Sequence, residues 1–174
     1  SCDGEFIFPF GVALDSSINV YVTDEGNHRV QKFTSTGTFI TKWGSFGSGD
    51  GQFNSPSGIA VDSSNNVYVT DAGNHRVQKF TSTGTFIAKW GVFGSLAGEF
   101  NLPDGVALDS SNNVYVADRD NGRIQKFTST GTFLLTWGFG VKDGSAVFQT
   151  CTSGCQTGIP GDSDGQFTHP LWVA

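Results

Sequence analysis

Across residues 51–97, apolar and polar positions fall into four short runs separated by turn chemistry. Gly58-Ile59-Ala60-Val61 is a brief apolar run, and Asn66-Val67-Tyr68-Val69-Thr70 alternates β-formers before ending at Asp71. Arg76-Val77-Gln78-Lys79-Phe80 follows, then Thr85-Phe86-Ile87-Ala88-Lys89-Trp90. Successive strand side chains alternate faces, so Phe86, Ala88 and Trp90 share one side and Ile87 and Lys89 the other. The connectors Asp62-Ser63-Ser64-Asn65, Ala72-Gly73-Asn74 and Thr81-Ser82-Thr83-Gly84 carry the residues that tight turns favour. The pattern predicts four antiparallel strands, and apolar groups on both faces predict a sheet covered on both sides.

The same pattern recurs with a period of 47: Asp24, Asp71 and Asp118 keep that spacing, as do Trp43, Trp90 and Trp137. Gly4, Gly51 and Gly98 open the three copies, and a fourth opening at Gly165 comes 20 residues later than the period predicts. Four short strands in about 40–47 residues are the signature of a β-propeller blade. The expected division is blade 1 at 1–50, blade 2 at 51–97 and blade 3 at 98–144. A cysteine-containing insertion loop at 145–164 and the first strand of a fourth blade at 165–174 complete the chain.

The stretches Asp24-Glu25-Gly26-Asn27-His28-Arg29-Val30 and Asp71-Ala72-Gly73-Asn74-His75-Arg76-Val77 carry a family resemblance. With the G-x-F…W-G and P-x-G-[IV]-A-[VL]-D elements around them, the chain resembles the NHL-repeat family over 3–144 and 164–174. Arg29 and Arg76 stand where the family name has leucine, and the third copy, Asp118-Arg119-Asp120-Asn121-Gly122-Arg123, has Gly122 in the histidine position. The resemblance implies an all-β propeller segment and a closed ring of six blades.

Composition narrows the function. Ten Lys and Arg against sixteen Asp and Glu give a formal charge of −6, which disfavours nucleic acid and anionic membrane surfaces. No apolar run approaches the ~20 residues of a spanning helix, so no membrane insertion is expected. The chain does not start with Met, and repeat elements are cut at both ends, so a segment of a longer protein is the expectation. An open wedge of blades would expose faces that need cover by further blades or by other copies.

Candidate chemistry is sparse. Cys151 and Cys155 lie in the glycine-rich insertion, where a local disulfide is a more economical account than half a metal site. That leaves Cys2 without a partner in the sequence, and the disulfide points to an oxidising, extracellular or cell-surface location. Asp24, Asn27, His28 and Arg29, with Asp71, Asn74, His75 and Arg76 and with Asp118, Asn121 and Arg123, read as the structural repeat motif that closes the turn between strands two and three. Asp15, Asp62 and Asp109 each bring one carboxylate to a hairpin, too few for a calcium loop. No catalytic motif stands out, and no cofactor or metal is assigned. Phe148, His169 and Trp172 are the candidate binding or assembly residues, and Trp172 replaces the glycine found at Gly11, Gly58 and Gly105. The expectation is a non-enzymatic extracellular scaffold that binds a protein or ligand. The alternatives are a self-assembling subunit, as a half-propeller dimer or a fibre, and a fragment of a metal-dependent, lyase-like NHL propeller.

Overall fold

The computed structural model describes residues 2–172. Blade 1 is a four-stranded antiparallel sheet of β1 (Pro9–Leu14), β2 (Val20–Asp24), β3 (Arg29–Phe33) and β4 (Phe39–Trp43). Blade 2 repeats it with β5 (Pro56–Val61), β6 (Val67–Asp71), β7 (Arg76–Phe80) and β8 (Phe86–Trp90). Blade 3 has β9 (Pro103–Leu108), β10 (Val114–Asp118), β11 (Arg123–Phe127) and β12 (Phe133–Phe139), and gains a fifth strand, β13 (Phe148–Cys151). The segment expected to be an insertion loop therefore also extends blade 3, with Phe139 opposite Phe148 and Thr136 opposite Cys151. This is an all-β propeller segment. His169, in the fourth copy, has a φ of 52°, close to those of Phe8, Ser55 and Leu102 at the same repeat position.

Each hairpin between the first two strands is built on its aspartate. Asp15 Oδ1 accepts the amides of Ser17 and Asn19, and Oδ2 accepts from Asn19 Nδ2 and the Tyr21 hydroxyl. The residues that complete the turn, Ile18, Asn65 and Asn112, sit in the left-handed region. Burial by itself would raise the Asp15 carboxyl, but hydrogen bonds from Asn19 and Tyr21, with Lys32 beside it, hold it at about 2.

Two apolar cores lie between the blades. Tyr21 and Val30 of blade 1 meet Phe53, Ile59, Val67, Val69 and Phe80 of blade 2, with Trp43 packed alongside. Tyr68 and Val77 of blade 2 meet Phe100, Val106, Val114, Val116 and Phe127 of blade 3, with Trp90 alongside. Gly84 turns with a φ of 88° directly over the Trp43 ring, so a side chain there would displace the indole. The outer face of blade 1 has no such cover: Val12 is 62% exposed, whereas Ile59, its equivalent in blade 2, is 7% exposed.

Polar latches add to each junction. Thr23 Oγ1 takes a hydrogen bond from the Gly11 amide and donates to the Ser57 carbonyl of the next blade at 2.5 Å. Thr70 does the same from Gly58 to the Asp104 carbonyl. His28 and His75, both left-handed, accept the next blade's Ser55 and Leu102 amides at Nδ1, at 3.2 and 3.1 Å.

Candidate functional site

The repeat motif makes a buried polar node in each blade. In blade 2, Asp71 takes Asn74 Nδ2, Arg76 Nε at 2.7 Å and the Asn54 amide. Arg76 then donates to the carbonyls of Ser48, Gly49 and Gln52, and Gln78 to Gln52, so one blade's motif grips the connector that enters it. Blade 1 has the same node around Asp24, Asn27 and Arg29, and blade 3 around Asp118, Asn121 and Arg123. A fully satisfied buried node of this kind fixes one arrangement of the chain. The histidines are not part of it. His28 and His75 face the following blade, each ring lying about 5 Å from Phe46 or Phe93. Burial lowers the His75 pKa, against the pull of nearby Asp118, Asp120 and Asp71, which keeps Nδ1 an acceptor.

The candidate binding residues separate. Cys151 and Cys155 are disulfide-bonded with Cα atoms 5.7 Å apart, and Cys2 is free and exposed. Phe148 lies on the added strand and packs over Gly165, away from the innermost strands. His169 lines a cleft with Arg119, Asp120, Gly122 and Phe167. Trp172 stacks on Phe10 of blade 1, ring centroids 5.2 Å apart and planes at 14°. The glycine in this column lets the next blade approach: a Cβ on Gly11 would lie 2.7 Å from the Ser57 carbonyl oxygen.

Phe10 leads to a place where side chains that differ from blade to blade converge. A chamber of about 290 Å³ opens where the innermost strands β1, β5 and β9 begin, beside the 3₁₀ turns that follow β2, β6 and β10. From the opening glycine to the end of the third strand, only three columns differ in all three copies: Phe8/Ser55/Leu102, Phe10/Ser57/Asp104 and Glu25/Ala72/Arg119. Eight of the nine residues lining the chamber come from those columns, the ninth being Gly73. The overall likeness of the blades hides this set in the sequence, where it shows only when the copies are compared column by column.

The chamber is polar on one side. Asp104 is 3% exposed; Arg119 Nη1 reaches its Oδ2 at 3.5 Å, and Oδ1 is buried with no hydrogen-bond partner. Burial raises the Asp104 pKa, Arg119 and the Ser57 hydroxyl oppose this, and Glu25 adds to it. Arg119 makes its shorter bond, 2.9 Å, to Asp120. Among the described residues, no three His, Cys, Asp or Glu side chains form a group able to hold a metal ion.

The NHL repeat family model matches residues 6–33, 53–80 and 100–127. No curated protein sequence matches the chain. Among solved structures, the chain is similar to a streptogramin B lyase at 20% identity and a TM-score of 0.60, covering 78% of this chain and 41% of that one. It is similar to a catalytically inactive virginiamycin B lyase from Staphylococcus aureus with quinupristin, at 14% identity and a TM-score of 0.60, covering 94% and 58%. A chain of a nidogen/laminin complex matches at 26% identity and a TM-score of 0.56, covering 71% and 45%. The chain thus spans about two-fifths to three-fifths of the length of these structures. With the repeat model on all three blades and propellers among its structural neighbours, the chain belongs to the NHL-repeat proteins.

Proposed function

We propose that this chain is a non-enzymatic binding scaffold of an extracellular or cell-surface NHL propeller, which recognises a small ligand or a protein side chain at the chamber where its innermost strands begin. The carrying observation is the convergence of the three columns that diverge within the first three strands and their turns, eight residues from near-identical repeats, on a single cavity. Structural roles keep repeat positions alike, whereas recognition needs unlike groups at one point. The Cys151–Cys155 disulfide supports an oxidising location. The nidogen/laminin neighbour supports protein recognition by this fold. Further blades complete a six-bladed ring around the same axis.

A screen of metabolites and partner peptides by ligand-dependent melting tests the reading, with Trp172→Gly as the comparison. Binding that weakens in Trp172→Gly supports it, because Phe10 loses the ring stacked on it. Ligands that bind both proteins equally and leave the chamber amides unmoved by NMR overturn it.

The second reading, self-association, rests on the open face of blade 1, where a groove of about 420 Å³ is lined by Phe6, Val20, Val22 and Phe33. Light scattering tests it: concentration-dependent dimers or fibres abolished by Val12→Lys favour assembly, and a monomer at all concentrations rejects it.

A further inference from the structure

The chamber's chemistry selects a ligand class, an inference that rests on the binding reading above. Its lining holds two carboxylates, Glu25 and Asp104, against one guanidinium, Arg119. That guanidinium is the more closely bound to Asp120, at 2.9 Å against 3.5 Å to Asp104. Asp104 is therefore incompletely neutralised: its buried Oδ1 has no hydrogen bond of ordinary geometry, and the neighbouring Ser57 hydroxyl is its one nearby neutral donor. Orphaned buried carboxylate oxygens are costly, so a donor arriving there gains more than it would in water. The Glu25 side chain makes no hydrogen bond or ion pair with any described residue.

An anion would meet net negative charge. A calcium ion needs six to eight oxygens, and the lining offers two carboxylates and two serine hydroxyls. A primary ammonium brings three donors on a small head, and its carbon stem finds the Phe10 ring, which Trp172 backs from the fourth copy.

We propose that the chamber binds a primary alkylammonium group, its head between Asp104 and Glu25 and its stem along Phe10. A lysine side chain of a partner protein and a free amine share this chemistry. The Asp104 main chain is already fixed by Thr70 at 2.5 Å, so its carboxylate is presented without reordering the strand.

The test is a titration of the folded chain, followed by the amides of Ser57 and Gly73 in NMR spectra. The probes are n-butylammonium, n-butanol and butyrate, and a lysine-containing pentapeptide with its acetyl-lysine form. The expected result is saturable binding of butylammonium, at least tenfold weaker in both Asp104→Asn and Glu25→Gln. Glu25 is only half-buried, so Glu25→Gln keeps the test valid should Asp104→Asn misfold. A peptide that binds more tightly than butylammonium and is lost on acetylation identifies a protein lysine. Equal affinities identify a free amine. Butylammonium that binds Glu25→Gln as well as the parent chain overturns the proposal. Saturation by butanol or butyrate alone overturns it too, while leaving the chamber as a binding site; silence from all five probes removes the ammonium assignment and leaves the screen above to decide the site.

Discussion

The junctions between blades 1 and 2 and between blades 2 and 3 differ in kind from the junction of blade 3 with residues 158–172. The first two use an aromatic core, a threonine reaching a carbonyl and a histidine receiving an amide. The third has lost both polar groups: Ala117 stands in the column of Thr23 and Thr70, and Gly122 in that of His28 and His75. The insertion supplies other bonds there. Gly158 donates to the Asn121 carbonyl at 2.7 Å, Ile159 to Phe139, and Arg123, fully buried, gives an additional bond to Gln156. A Cβ on Gly122 would lie 3.2 Å from the Phe167 carbonyl oxygen and 3.5 Å from that of Gly158, so the added chain closes over the position from which an imidazole extends in the other blades. A repeated latch can be lost from this fold where added backbone supplies other hydrogen bonds at the same junction.

The largest expected break is at the buried node. Asp71→Ala strands Arg76 and leaves Asn74 and Gln78 without their shared acceptor, at a cost of about 3–5 kcal/mol; chemical denaturation measures it. Cys151→Ser with Cys155→Ser acts only on the third junction. Closing so short a loop stabilises by about 2 kcal/mol in the chain-entropy account, and hydrogen exchange should rise at Gln156 and Ile159 while the Ile59 and Val106 amides stay protected. Thr70→Ala copies the third junction into the second and should cost about 1–2 kcal/mol, since the Asp104 carbonyl loses its donor and the Gly58 amide its acceptor.

A smaller effect is expected from pH. The folded His75 pKa lies below its ordinary value, so the unfolded chain binds the proton first as pH falls. Stability at that junction is full above about pH 6.5 and declines below it, down to the folded value. His75→Asn should flatten this part of the pH–stability profile. The smallest expected effect is Ser55→Leu, which copies Leu102 at the same left-handed position and should change stability by no more than about 0.5 kcal/mol.

Much of this architecture was legible from the chain. The 47-residue period and the alternation within Asn66–Thr70 and Arg76–Phe80 located the second and third strands, since each run fits one half-buried pleat. The paired Cys151 and Cys155 were legible as well, because only Thr152, Ser153 and Gly154 separate the two thiols in a glycine-rich insertion. β13 was not: Phe148–Cys151 is a short polar and apolar mixture whose strand character comes from the free edge of β12, a tertiary partner that local pattern does not reveal. The role of His28 and His75 was hidden for the same reason, as their partner amides lie 27 residues further on. The Trp172–Phe10 stack joins the two ends of the chain and has no local signal at all.

The latches hold main-chain atoms, and that has an evolutionary consequence. Thr23 and Thr70 grip the carbonyls of Ser57 and Asp104, and His28 and His75 the amides of Ser55 and Leu102. Every one of those gripped residues faces the chamber, and each belongs to a column in which the copies have diverged. A carbonyl or an amide is the same whatever side chain it carries. Duplicated blades can therefore change what they recognise one residue at a time without renegotiating how they hold together.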